Sequence, residues 1–138
     1  MTAYADTSVL VSAFTRDDHT PRARAWLMRR PSLIVSGWAQ AEFGAVVRRQ
    51  ARKGRISREG VYQAEALLGR LTGDPTAFKP VFAEDIVAAE RLVRDLEPLR
   101  APDALHLAIA IRLGFPIATF DQGLATAAVA AGIGVVNL

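Results

Sequence analysis

Cysteine is absent from the 138 residues, which excludes disulfides, zinc–thiolate centres and thiol catalysis. Lysine is nearly absent: Lys53 and Lys79 are the only two, so nothing supports a phosphoacceptor domain with a lysine beside its site. No apolar run approaches the ~20 residues that cross a bilayer. No basic stretch leads into an apolar one at the N-terminus, where Asp6 interrupts the chain. These absences predict a cytoplasmic protein with no membrane span. Three common α/β signatures are missing too. There is no G-x-G-x-x-G, no G-x-x-x-x-G-K-[ST] and no G-x-S-x-G, which removes dinucleotide binding, P-loop nucleotide hydrolysis and serine-elbow hydrolysis.

What is present suits one globular unit, with 51% hydrophobic and 22% charged residues. The length predicts a single domain over residues 1–138, large enough to bury a core. The 17 basic residues face 14 acidic ones, and all but the two lysines are arginine, the better residue for bidentate phosphate contacts. Six bases (Arg48, Arg49, Arg52, Lys53, Arg55, Arg58) run without an acid between them. Such a patch beside a negative pocket suits a polyanion that is held while one linkage is cut.

Short apolar strands alternate with helices. Strands are expected at Thr2–Ala5, Leu33–Val35, Phe78–Phe82, Ile117–Phe120 and Ile133–Val136, the third confined to a sheet edge by Pro80. Helices are expected over Thr7–Phe14, from Pro21 to Arg30, and from Trp38 to Lys53 with Gly54 closing it. Ser57 caps the next, which ends near Gly73. Glu84–Leu96, Pro102 to Gly114, and Gln122–Ala131 complete the set. This alternation predicts an α/β domain with a parallel sheet covered on both faces.

Four carboxylates stand where a solvated surface group is hard to explain. Asp6 and Asp121 each close a strand, and strand-end acids of one parallel sheet land on the same edge, where ligands of open α/β sheets bind. Each also serves as a helix cap. Asp103 lies in the first turn of a helix that is apolar through Leu113, where an acid complements the helix dipole. Glu42 is the most telling. On a helical wheel Trp38, Ala39, Ala45 and Val46 fall within about 60° of it. A carboxylate on that apolar stripe has to be paired, protonated or metal-bound. Brought together, the four make an oxygen-rich negative pocket suited to hard divalent cations, the chemistry of a metal-dependent nuclease. His106, one turn beyond Asp103, is expected as a packed, hydrogen-bonded core residue outside the catalytic set.

These residues resemble a known family, the PIN-domain ribonucleases, and within it the VapC toxins of bacterial toxin–antitoxin pairs. The resemblance rests on Asp6-Thr7-Ser8-Val9-Leu10, on Ser36 through Glu42, on Arg100 through Ala108, and on Thr119-Phe120-Asp121. It implies a three-layer α/β/α domain with a five-stranded parallel sheet in the order 3-2-1-4-5. It also implies that Asp6, Glu42, Asp103 and Asp121 are catalytic and bind one or two Mg²⁺ or Mn²⁺ ions, supported by the Thr7 and Thr119 hydroxyls. Gln122-Gly123 follow Asp121 where many relatives carry another acid, which leaves the number of tightly held ions open. The implied reaction is hydrolysis of RNA to 5′-phosphate and 3′-hydroxyl ends, where a histidine-driven route would pass through a 2′,3′-cyclic phosphate. A cognate antitoxin and a homodimer are the implied partners. Arg49, about 10 Å along the helix from Glu42, is expected to contact RNA phosphate. The rivals are a non-catalytic PIN-like adaptor and a structure-specific DNA nuclease.

Overall fold

The computed structural model describes residues 1–138. The elements run β1 (Thr2–Ala5), α1 (Thr7–Phe14), α2 (Thr20–Met28), β2 (Ser32–Ser36), α3 (Gly37–Arg52), α4 (Arg58–Thr72), β3 (Phe78–Lys79), α5 (Ala83–Asp95), α6 (Ala101–Leu113), β4 (Ile117–Ala118) and α7 (Gln122–Ala130). The strands form one parallel sheet in the order β3-β2-β1-β4.

Alternation along the strands builds the three layers. Ala3, Ala5, Leu33, Val35 and Ala118 face one side and pack beneath α1 to α4, with Trp26, Phe43, Val47 and Leu68. Tyr4, Ile34 and Ile117 face the other, against α5, α6 and α7. Trp26 and Phe43 are almost wholly buried, and burying a side chain of that kind stabilises the fold by roughly 1.5–3 kcal/mol. α6 buries seven consecutive residues, Ala104 to Ala110, because it is apolar all round. It stops at Gly114, whose φ of 73° is left-handed and costs a glycine nothing, and the chain turns into β4. A half-buried ion pair ties α5 to α6: Arg112 Nε donates to the buried Asp85 Oδ1 at 2.6 Å and Nη2 to Oδ2 at 2.9 Å.

Two expectations about strands need correcting. The sheet has four strands, not five. Of residues 133–136, only Val135 bridges β4, in parallel to Ile117, on the side where a fifth strand was expected. Gly134, in the middle of that stretch, brings no side chain to pack, and Gly132 just before it holds a left-handed φ of 79°. The third strand is shorter than expected and ends at Lys79, since Pro80 has no N–H for a ladder. Its place at the sheet edge agrees with the expectation. No helix is long and apolar enough to cross a membrane.

Candidate active site

The sheet fixes where the strand-end acids go. From β1 the order runs one way to β2 and β3 and the other way to β4, so strand order reverses between β1 and β4. Ligand crevices of open parallel sheets form outside the carboxyl ends of the strands at that switch point. Ala5 pairs with Ala118, and the Asp6 N–H donates to the Ala118 carbonyl at 3.1 Å. Asp6 therefore leaves the sheet beside Thr119, two residues before Asp121.

Two hydroxyls fasten these chain segments together. Thr119 Oγ1 donates to Asp6 Oδ2 at 2.5 Å and accepts the Asp121 N–H at 2.9 Å. Ser8 Oγ donates to Asp6 Oδ1 at 2.6 Å and accepts the Phe120 N–H at 2.9 Å. Asp6 also caps α1 through the Val9 N–H, and Asp121 caps α7 through the Leu124 N–H at 2.8 Å. The cap role and the site role coincide on the same carboxylates. Asp6 is only 4% exposed, and burial pushes its carboxyl above the usual range, against the opposing pull of His106, Ser8, Thr119 and the Val9 N–H.

Asp103 and Asp121 open into a cleft of about 550 Å³ between the α5–α6 connection and α7. Arg100 Nε donates to Asp103 Oδ2 at 3.1 Å, and its guanidinium lies 3.9 Å from Asp121. Burial and the neighbouring Asp121 charge raise the Asp103 carboxyl, while Arg100 and His106 oppose the rise.

Glu42 lies in a different setting. Its Oε1 is 2.5 Å from His106 Nε2 and accepts from Thr7 Oγ1 at 3.1 Å. Behind it a chain of polar groups runs through the core. His106 Nδ1 is 2.7 Å from the Tyr4 hydroxyl, which is 2.7 Å from Ser36 Oγ, and Ser36 caps α3 by accepting the Ala39 N–H at 3.1 Å. Burial pushes the Tyr4 phenol far above its ordinary range, so it stays protonated and serves as a permanent donor. Burial also pushes the Glu42 carboxyl up, but the His106 and Thr7 contacts outweigh it and hold Glu42 low. Of the states open to Glu42 on its apolar stripe, the paired one is realised, and His106 is the packed, hydrogen-bonded residue expected.

The four acids thus fall into two pairs: Asp103 and Asp121 in the cleft, and Asp6 and Glu42 bound to hydroxyls and imidazole. No three Asp, Glu or His side chains close up as a ready-made metal cage. In chemical kind the donors fit Mg²⁺ or Mn²⁺, being carboxylate and hydroxyl oxygens, and the cleft acids already draw one cation, the Arg100 guanidinium. Three contributors escaped the sequence. Ser8 and Tyr4 lie two residues either side of Asp6, and Arg100 precedes Pro102-Asp103, but only tertiary pairing reveals what they touch.

The basic cluster is not beside the acids. Arg48, Arg52 and Arg58 line a cavity of about 430 Å³ with Tyr62, towards the far end of α3. That end begins ~9 Å along the helix from Glu42 and reaches ~15 Å at Arg52. Arg49 is exposed on this stretch.

No curated protein matches the chain. Solved structures do resemble it. The Mycobacterium tuberculosis toxin VapC20, described as cleaving the sarcin–ricin loop, superposes with a TM-score of 0.72 at 20% identity, covering 92% of this chain and 95% of that one. A toxin–antitoxin complex from Klebsiella pneumoniae gives 0.67 at 22% identity, over 98% and 96%. VapBC2 of Rickettsia felis, bound to promoter DNA, gives 0.69 at 17%, over 99% and 98%. At such identities the likeness speaks for the fold alone. The PIN domain family model, however, matches residues 3–130, from the first strand to the last helix and across all four acids. On that match, and with Asp6 and Asp121 leaving adjacent strands at the switch point, the chain belongs to the PIN domain family.

Proposed function

We propose that the protein is a metal-dependent endoribonuclease of the VapC toxin type, hydrolysing RNA to 5′-phosphate and 3′-hydroxyl ends. The observation that carries the proposal is the cleft lined by both Asp103 and Asp121, with Thr119 joining Asp121 to Asp6. The Asp103 carboxyl, raised first by burial and then by its like-charged neighbour Asp121, is poised to take a cation. In this proposal Asp6, Asp103, Asp121 and Glu42 hold one or two Mg²⁺ or Mn²⁺ ions. The chemistry so supplied is a more acidic water and a neutralised phosphate.

The chain's own residues do the rest. Thr119 and Ser8 keep Asp6 aimed by occupying one lone pair on each oxygen. His106, backed by Tyr4 and Ser36, fixes the Glu42 carboxylate. Arg100, 73% exposed and hinged just before α6, is free to turn from Asp103 to a phosphate oxygen of the substrate. Exposed Arg49 belongs to a more distant arginine stretch that suits RNA backbone.

The partners proposed are a cognate antitoxin and a second copy of this chain. Likeness to toxin–antitoxin complexes supports the first. An exposed apolar strip on α5, with Ile86 54% and Val87 53% exposed beside a groove floored by Trp38 and Leu105, supports the second. The deciding experiment expresses the protein and its Asp103→Asn variant and maps new 5′-phosphate ends across cellular RNA. Discrete Mn²⁺-dependent cuts absent from the variant are expected; cyclic-phosphate ends, or identical cuts from the variant, refute the proposal.

A further inference from the structure

One aromatic pair on the acidic edge has no part in the site as described. His19 lies flat on Phe120, with ring centroids 4.4 Å apart and planes 6° from parallel. Arg22 places its guanidinium carbon 5.3 Å from the Phe120 centroid. Phe120 stands between Thr119, which holds Asp6, and Asp121, which lines the cleft. Its N–H donates to Ser8 Oγ, the hydroxyl that also holds Asp6, so its backbone is fixed to the site.

The loop that carries the imidazole is held as firmly. The His19 backbone N–H donates to Asp17 Oδ1 at 2.8 Å, and Ser12 Oγ donates to Asp17 Oδ2 at 2.8 Å. Thr20 Oγ1 accepts the Asp17 N–H at 2.8 Å and donates to the Ser12 carbonyl at 2.7 Å. The loop is therefore set before any ligand arrives. His19 is nonetheless exposed. With its inner face on Phe120, its exposure belongs to the outer face and edges, and a flat π-surface with a cation nearby is what an unpaired nucleobase stacks on.

We infer that His19, backed by Phe120 and flanked by Arg22, is a stacking platform for a base of single-stranded RNA adjoining the linkage to be cut. Phe120 and Asp121 are consecutive, so the ring that backs His19 is carried about one Cα spacing, ~3.8 Å, from an acid of the cleft. A base held on His19 would lie on the same sheet edge as the carboxylates, which makes His19 a positioning residue in this proposal. The inference rests on the nuclease proposal for its substrate class, and its test measures binding rather than cleavage.

The test uses two fluorescein-labelled ribose-phosphate heptamers of equal charge, oligo(A) and its fully abasic counterpart, with EDTA present to keep the RNA whole. Anisotropy gives the dissociation constants. Wild type should bind oligo(A) about 5- to 20-fold more tightly than the abasic strand, the lower part of the range for one stacked base. His19→Ala should lose most of that preference while binding the abasic strand as wild type does, and His19→Phe should keep it. Equal binding of the two strands by wild type, or a preference unchanged in His19→Ala, overturns the platform. So does a His19→Phe variant that behaves like the alanine one, since that pattern belongs to a ring needed only by the fold. Manganese-dependent cleavage by wild type is scored separately. A base preference without cleavage refutes the nuclease proposal and leaves the platform standing; cleavage without the preference does the reverse.

Discussion

Removing one oxygen atom, in Tyr4→Phe, tests whether the polar chain behind Glu42 is structural in the way its geometry implies. The ring remains in place, fully buried against Leu107 and its neighbours, so no cavity of consequence forms. What is lost is the bridge between Ser36 Oγ and His106 Nδ1, each 2.7 Å from the hydroxyl. Ser36 keeps its bond from the Ala39 N–H, but His106, 2% exposed, has no water to turn to. A net hydrogen bond is worth ~1 kcal/mol and an orphaned buried polar group costs a further ~1–3, so the fold should lose roughly 2–4 kcal/mol. For a chain of this length each kcal/mol shifts the melting temperature by ~3–5 °C, giving a fall of about 6–20 °C. Calorimetry and urea titration measure this, with an unchanged urea slope showing that the unfolded state is not responsible. Tyr62→Phe, at a tyrosine that is 55% exposed, is the control and should shift nothing. A Tyr4→Phe shift below ~1 °C would refute the buried chain and the fixing of Glu42 through it.

Further outcomes test the cleft. The Asp103 carboxyl is raised above its ordinary value of 3.8, first by burial and then by Asp121. A raised folded pKa contributes stability that is full below the unfolded value and lost as pH rises through the folded one. Asp103→Asn should therefore melt higher than wild type at pH 7, with the gap closing towards pH 3, while RNA cleavage disappears; a gap that does not depend on pH contradicts the account. Added Mn²⁺ should raise the melting temperature of wild type but not of Asp103→Asn, and equal shifts in both would remove metal from this site. Arg100→Gln should change stability by less than ~1 kcal/mol, as befits a guanidinium 73% exposed, yet bind Mn²⁺ up to about 5-fold more tightly in calorimetric titration. Weaker binding would mean that Arg100 does not compete for the cleft.

Most of the architecture was legible because its signals are local. The cap of α1 by Asp6, the stop of α6 at Gly114 and the edge position forced by Pro80 each depend on a few adjacent residues. The fifth strand was misjudged because Ile133–Val136 is apolar, yet pairing depends on the glycines within and before it and on how much of β4 is left to pair. In the site, the neighbourhood of Asp6 and Asp121 followed from parallel strand ends. The resemblance implied a supporting hydroxyl at Thr119, but not its partners, and Ser8 went unmarked, because a hydroxyl two residues along carries no sign of what it will meet. Glu42 announced itself by sitting on an apolar stripe, but its partner His106 is 64 residues away. The arginine run shares a helix with Glu42, but its members begin ~9 Å along that helix from the carboxylate and reach ~15 Å at Arg52, which keeps the run apart from the acids.

Because Asp121 begins a helix by accepting a backbone N–H on Oδ1, and asparagine accepts there as well as aspartate, the reaction and the scaffold come apart at a single atom. An Asp121→Asn variant keeps its cap while losing the charge, whereas Asp6 spends both oxygens on partners and offers no such atom. Such a chain would make a trap rather than a ruin: a protein of unaltered shape that captures its RNA and leaves it uncut, ready to be recovered from cells and sequenced.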